Sequence, residues 1–218
     1  MKIAIDGPAG AGKSTVARQL AAELGFVYVD TGAMYRALTW KAIKESLDLD
    51  NEDSLYQLAK NTEIHFEHNS HGQRIICDGE DVSDYIRAPH ISAEVSRVAS
   101  KSLLRQVMVG QQRRMAGENS VVMDGRDIGE YVLPDADLKF FLTARMEQRV
   151  MRRVEEMKAR GYNIEISTIA REITERDQTD SSREMGALKV LDDSIVIDTS
   201  DLSIEEVIRV IKSYLEEA

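Results

Sequence analysis

Apolar residues in this chain recur at two different spacings, and the two alternate along the sequence. Ile3–Ile5 is a short apolar run stopped by Asp6 and Gly7, the pattern of a buried strand. Val16, Leu20 and Leu24, with the small Ala17 and Ala21 beside them, follow helical spacing over residues 13–24, and Gly25 supplies a stop. Phe26–Val29 reads as a second strand and Thr31–Ser46 as a second helix. Val121–Asp124, Leu138–Leu142 and Ile195–Ile197 repeat the buried-strand pattern. Helical patterns fill Arg145–Arg160, where Val150, Val154 and Met157 share a face, and residues 165–177. A last helix carries a capping box, Ser203 to Glu206, and a stripe of Ile204, Val207, Ile208, Ile211 and Leu215. The sum is an α/β fold, a mostly parallel sheet covered by helices.

Residues 48–86 break the alternation. Ile64–Asn69 and Gln73–Asp78 are β-like runs around Ser70, His71 and Gly72, so a hairpin is expected inside an inserted subdomain. Pro89 opens a long helical stretch that runs through Met115, with a bend expected near Ser100–Ser102.

Composition narrows the partners. The chain of 218 residues carries 28 basic and 38 acidic side chains, a net charge of −10. Such a chain repels nucleic acid, and any anionic ligand must be met by a local basic site. Cys77 is the one cysteine, so no intrachain disulfide forms and a reducing compartment is expected. Asp6 and Gly7 interrupt the first apolar stretch, so no signal peptide is expected, and no run of 18 apolar residues is present. The expectation is a cytoplasmic monomer without a membrane or nucleic-acid partner.

The sharpest motif follows the first strand. Gly7, Pro8, Ala9, Gly10, Ala11, Gly12, Lys13 and Ser14 fit G-x-x-x-x-G-K-[ST], with Thr15 next, between a predicted strand and a predicted helix. Glycines let consecutive N–H groups turn inward into a nest for phosphate oxygens, with a helix N-terminus behind it. Lys13 then brings a point charge to the outer phosphates, and the Ser14 hydroxyl suits a magnesium ion that accompanies ATP. The motif predicts a P-loop NTPase-type, three-layer fold with helices on both faces of the sheet, but not which reaction follows.

Arginine placement argues for transfer to an anionic acceptor. No guanine-reading N-K-x-D segment is present. A phosphorylated acceptor held against a triphosphate needs several cations from outside the loop. Arg36 follows Asp30–Tyr35, and Arg126 and Asp127 lie just beyond a strand end, where open parallel sheets bind ligands. Arg176 and Arg183 flank Asp180. Arg145, Arg149, Arg152 and Arg153 share one helix face. That face is either a solvated surface paired to Glu147, Glu155 and Glu156, or a lid over the triphosphate. Three bases on one turn repel each other unless an anion is near.

Together, IDGPAGAGKST, Asp30-Thr-Gly-Ala-Met-Tyr-Arg36, Val82-Ser-Asp-Tyr-Ile-Arg87, Asp124-Gly-Arg-Asp-Ile-Gly129 and Glu175-Arg-Asp-Gln-Thr-Asp180 resemble the bacterial cytidylate kinases, within the nucleoside monophosphate kinases. The resemblance runs along essentially the whole chain. It implies one kinase domain over residues 1–218: a core at about 1–47, 87–145 and 190–218, a nucleotide-binding insert at about 48–86, and a lid at about 146–185. It implies that ATP phosphorylates CMP and dCMP. Thr31 and Arg36 would contact the acceptor's sugar and phosphate. Ser96, Arg105 and Asp127 would read the cytosine edge. Arg126 and Arg176 would bind the acceptor phosphate and the moving phosphoryl group, and Asp180 and Arg183 the sugar. Arg149, Arg152 and Arg153 would belong to the lid. Asp124 is the expected outer-shell partner of the magnesium ion at Ser14.

Two rivals stay open at this stage: a kinase for UMP, AMP or another small acceptor, and a nucleotide-binding module without turnover. Three further features read as structural. His65, His68 and His71 fit a surface hairpin better than a metal site, Cys77 a small strand residue, and Trp40 a packing role.

Overall fold

The computed structural model describes residues 1–69 and 72–217. The turn expected at Ser70 and His71 lies outside the described residues, as does His71 of the histidine trio. The chain divides into two compact units, residues 1–28 with those from 116 onward, and residues 29–115.

The first unit is built on a five-stranded sheet. Its strands are β1 (Lys2–Asp6), β6 (Val121–Asp124), β7 (Leu138–Thr143) and β8 (Ile195–Asp198), and with β2 (Val27–Asp30), whose last two residues belong to the second unit, the order is β2-β6-β1-β7-β8. β1 pairs in parallel with β6 and with β7, and β7 with β8. Parallel strands buried on both faces read as continuous apolar runs, as β1 and β6 do here. Helices α1 (Lys13–Leu24) and α8 (Ile204–Glu217) pack against the sheet through Val16, Leu20, Val207, Ile208 and Ile211, onto Ile3, Ile5, Phe140 and Leu142. Gly25 ends α1 at φ 68°, a left-handed cap. The capping box of α8 forms as expected: Ser203 N donates to Glu206 and Glu206 N to Ser203 Oγ. Helices α6 (Met146–Ala159) and α7 (Ile166–Ser181) form a pair with its own apolar seam of Val150, Val154, Met157, Ile169 and Ile173.

The second unit holds α2 (Thr31–Lys44), α3 (Glu52–Lys60), the antiparallel strands β3 (Ile64–Asn69), β4 (Gly72–Cys77) and β5 (Glu80–Asp81), a 3-10 turn at Tyr85–Arg87, and α4 (Pro89–Ala99) and α5 (Ser102–Ala116). The hairpin strands pair Ile64 with Cys77 and Phe66 with Ile75. Two details differ from the sequence expectation. The stretch after Pro89 is two helices and not one bent helix. The chain breaks at Ser100 and Lys101, where the Ser100 hydroxyl donates to the Arg97 carbonyl, 2.7 Å away. Helix α3 was not foreseen. Asn51 caps it by accepting from Ser54 N at 3.0 Å, and Leu55 and Leu58 anchor it. Trp40 packs as expected, stacked 6.1 Å from Tyr85 with the Lys44 ammonium over its ring. Cys77 is buried in β4, and burial pushes its thiol up to about 11. Among the described residues no helix is long and apolar enough to cross a membrane.

Candidate active site

The phosphate loop leaves the C-terminal end of β1 in a conformation only glycine tolerates. Gly7, Gly10 and Gly12 take φ of 144°, 77° and 88°. A Cβ on Gly7 would lie 2.0 Å from the Leu142 carbonyl oxygen, and one on Gly10 would lie 2.9 Å from the Arg149 carbonyl oxygen. Gly12 then opens α1, its carbonyl accepting from Val16 N at 3.0 Å.

Lys13 is enclosed at 5% exposure and donates to the Pro8 carbonyl at 2.7 Å. Burial and the nearby Arg126 hold its ammonium well below the usual lysine range, with Arg176 adding to the effect and Asp124 and Asp6 opposing it. The two arginines assigned to phosphate therefore stand close enough to Lys13 to act on its charge. Ser14 Oγ donates to Asp124 Oδ2 at 2.7 Å, and the Tyr28 hydroxyl donates to Oδ1 at 2.9 Å. A hydroxyl and a buried carboxylate side by side are hard oxygen donors, a set that fits a magnesium ion held partly through water.

Asp180, near the end of α7, collects three cations. Arg126 Nε approaches Oδ2 at 2.8 Å, Arg176 Nε lies 3.9 Å from the same oxygen, and Arg183 pairs with Oδ1. Asp180 is fully buried. Burial disfavours its charge, but Arg126, Arg176 and Arg183 outweigh that and hold the carboxyl far below the usual range. Its role in this structure is to order the guanidinium groups around it.

The arginines of α6 also find partners inside the unit. Arg149 ion-pairs with Asp177 and donates to the Ala9 carbonyl at 3.1 Å, while Ala9 N approaches Asp177 Oδ1 at 3.4 Å. Arg152 donates to Thr199 Oγ1 at 2.9 Å, and that hydroxyl donates in turn to the Ala11 carbonyl at 3.0 Å. Arg153 pairs with Glu156 at 2.7 Å and Arg145 with Asp201. The repulsion expected on this face is relieved by acceptors of the protein itself. Arg149 and Arg152 thereby tie the helix pair to the phosphate loop and to its neighbour Thr199.

In the second unit, Asp30 accepts from Ala33 N at 2.7 Å and caps α2, which opens at the buried Thr31. Its other oxygen lies 3.4 Å from both Arg36 and Arg87. Ser96 is buried on α4. Arg105 is buried at 1% exposure, donates to the Ala99 carbonyl at 2.9 Å and lies 5.2 Å over the Tyr35 ring.

Four residues of this machinery were missed in the sequence: Asp6, Asp30, Asp177 and Thr199. Asp30 had a readable signal, an acidic residue just before a helix. Asp177 and Thr199 had none, since their partners Arg149 and Ala11 lie 28 and 188 residues away.

The sequence model of the cytidylate kinase family matches residues 3–217. A cytidylate kinase of Caldanaerobacter subterraneus subsp. tengcongensis is 50% identical over 208 residues, covering 95% of this chain and 91% of that one. A cytidylate kinase of Geobacillus sp. strain WCH70 is also 50% identical, covering 95% and 93%. One from Bacillus cereus strain B4264 is 47% identical over 213 residues, covering 98% and 95%. Among solved structures, a gluconokinase from Sinorhizobium meliloti 1021 superposes with a TM-score of 0.51 at 14% identity, covering 99% of this chain and 91% of that one. A shikimate kinase from Bacteroides thetaiotaomicron gives 0.50 at 13%, covering 99% and 98%. At that identity the likeness shows the fold alone, a parallel sheet with helices as in the phosphate-loop kinases. With the family match spanning nearly every residue and a glycine loop of the required geometry at its head, the chain belongs to the cytidylate kinase family.

Proposed function

We propose that this protein transfers the γ-phosphoryl group of ATP to CMP and dCMP, releasing ADP with CDP or dCDP. The observation that carries the reading is the grouping of Lys13, Arg126 and Arg176 within one compact unit, with Asp180 holding the two arginines. A phosphoryl acceptor carries nearly two negative charges. Cations already fixed where charge spreads are what such a transfer requires.

The attacking oxygen belongs to a phosphate already largely ionised near neutral pH, so no general base is needed. The protein's work is positioning and electrostatic stabilisation. The backbone of Gly7–Thr15 cradles the triphosphate, and Lys13 meets its outer phosphates. Arg126 and Arg176 take the acceptor phosphate and the moving group, while Asp180 and Arg183 fix the sugar side. Ser14 backed by Asp124 would hold a magnesium ion bound with ATP, which would supply charge neutralisation to the triphosphate. The helix pair at residues 146–185 serves as the lid, through Arg149, Arg152 and Arg153. The segment at 48–86 is the nucleotide-binding insert.

On the acceptor, Thr31 and Arg36 serve the sugar and phosphate, and Ser96, Arg105 and Asp127 serve the base. Asp127 accepts from cytosine N4, while arginine and serine donate to O2 and N3. Uracil presents an oxygen at position 4 and a donor at position 3, leaving polar groups unmatched. A lone buried cysteine suits a monomer of the reducing cytoplasm.

Coupled ADP release with CMP, dCMP, UMP, AMP and GMP tests the reading. CMP and dCMP should lead. Better turnover of AMP or UMP would overturn the specificity, and ATP binding without any turnover would overturn the enzyme.

A further inference from the structure

Asp6 takes part in none of these steps, yet it sits at their root. It is the last residue of β1, directly before Gly7, and only 7% exposed. Its Oδ1 accepts from Ile128 N at 2.9 Å and its Oδ2 from Gly129 N at 2.9 Å. Those amides open the π-helical turn Ile128–Val132, which directly follows Arg126 and Asp127. The residue in capping position is Asp127, at φ −145° and ψ 27°, but its side chain makes no capping bond to the turn. Capping of the first amides is done from the neighbouring strand by Asp6. The Asp127 carboxylate is not committed to that task.

A carboxylate accepts through both oxygens at once, and the two Asp6 bonds use both. An asparagine in its place would turn an N–H donor toward an N–H donor. The arrangement is also costly, because burial and the neighbouring Asp127 oppose the Asp6 charge while the two amides and Lys13 favour it. A neutral residue would fill the position at lower cost if nothing depended on those two bonds.

We propose that Asp6 is a positioning residue for acceptor selection: by capping Ile128 and Gly129 it fixes the Arg126–Asp127 segment against the root of the phosphate loop, so preference for cytosine depends on a side chain that touches no nucleotide. The inference rests on the base-reading role given to Asp127 above.

The test compares Asp6→Asn and Asp127→Ala in the full-length enzyme, using steady-state kinetics with ATP, CMP and UMP alongside thermal unfolding. Losing one buried charge-assisted bond and opposing one donor with another should raise KM for CMP about tenfold in Asp6→Asn. The CMP-over-UMP preference should shrink about fivefold, and KM for ATP should stay within about twofold. Equal movement of both KM values would mark general loosening and overturn the proposal. If Asp127→Ala loses the preference and Asp6→Asn keeps it, the positioning role fails alone. If Asp6→Asn loses it and Asp127→Ala keeps it, the base-reading assignment fails, and the positioning role, which acts through Asp127, fails with it. If both keep it, both fail. Should Asp6→Asn not fold, Asp6→Ser removes the donor clash, and the same split between the two KM values decides.

Discussion

Asp6 and Asp180 are both buried aspartates within the first unit, yet their charges respond in opposite ways. Asp6 accepts two backbone amides at 2.9 Å and lies near another carboxylate, and burial pushes it up to about 6. Asp180 is buried as well, but Arg126, Arg176 and Arg183 hold it well below the usual carboxylate range. Burial alone therefore does not set the direction. Neutral amides soften desolvation, while formal countercharges reverse it. The two groups also hold different things. Asp6 holds backbone, and Asp180 holds three side chains that would otherwise repel one another.

The comparison is broken most forcefully at Asp180. Asp180→Ala should cost about 3–5 kcal/mol of stability, because three clustered guanidinium groups lose their shared anion. Urea unfolding measures this, and phosphoryl transfer should fall below detection in the same protein. A variant with wild-type stability would mean that the arginines do not depend on Asp180.

Lys13→Met separates charge from folding. Transfer to every acceptor should fall at least ~10³-fold, with the fold retained, since the ammonium is already disfavoured by burial. Lys13 is also one of the groups that favour ionised Asp6, so the Asp6 carboxyl should titrate higher in this variant. Carbon-detected NMR of that carboxyl reads the shift, and an unmoved value would remove Lys13 from its environment.

Stability against pH sharpens the contrast with opposite signs. Because the folded Asp6 titrates near 6, above its unfolded value, its contribution is full below the usual carboxylate range and is lost as pH rises through about 6. Asp180, depressed by its arginines, contributes fully above that range and loses its contribution only in stronger acid. The stability of wild type relative to Asp6→Asn should therefore fall between pH 4 and pH 7. Relative to Asp180→Asn it should stay flat over the same interval. Parallel curves from urea titrations would overturn the assignment of both shifts.

Asp177→Asn is the mildest case. Asp177 is a partly exposed carboxylate that faces a single guanidinium, Arg149, at the tip of the phosphate loop. Neutralising it should raise KM for ATP roughly fivefold with kcat for CMP nearly unchanged, because one positioned ion pair is lost and no reacting group is moved. An unaltered KM for ATP would detach the helix pair from triphosphate binding.

Legibility in the sequence followed the range of the interactions. The phosphate loop was readable because Gly7, Gly10 and Gly12 satisfy a backbone demand within eight residues. Strand runs and the ends of α1 and α8 were readable for the same reason, through Gly25 and the Ser203–Glu206 pair. Helix α3 was missed although Asn51 and the acidic Glu52 and Asp53 announce it, because nine residues carry too short an apolar stripe. Between α4 and α5 the helical pattern predicts only a bend, because the apolar spacing runs on past Ser100 and Lys101. The shared face of Arg145, Arg149, Arg152 and Arg153 was visible as spacing, but their partners Asp201, Asp177, Thr199 and Glu156 were not.

By itself the sequence determined the phosphate loop, the strands of the five-stranded sheet with most of the helices, and the family. These depend on backbone conformation and on apolar periodicity, which neighbouring residues dictate. Only the tertiary structure decided that Asp180 gathers Arg126, Arg176 and Arg183, that Asp177 and Thr199 occupy two of the α6 arginines, and that Asp6 caps a turn 122 residues away. Charge and hydrogen bonding act across space between groups the chain brings together only on folding. No local pattern records which carboxylate a given arginine or amide will meet.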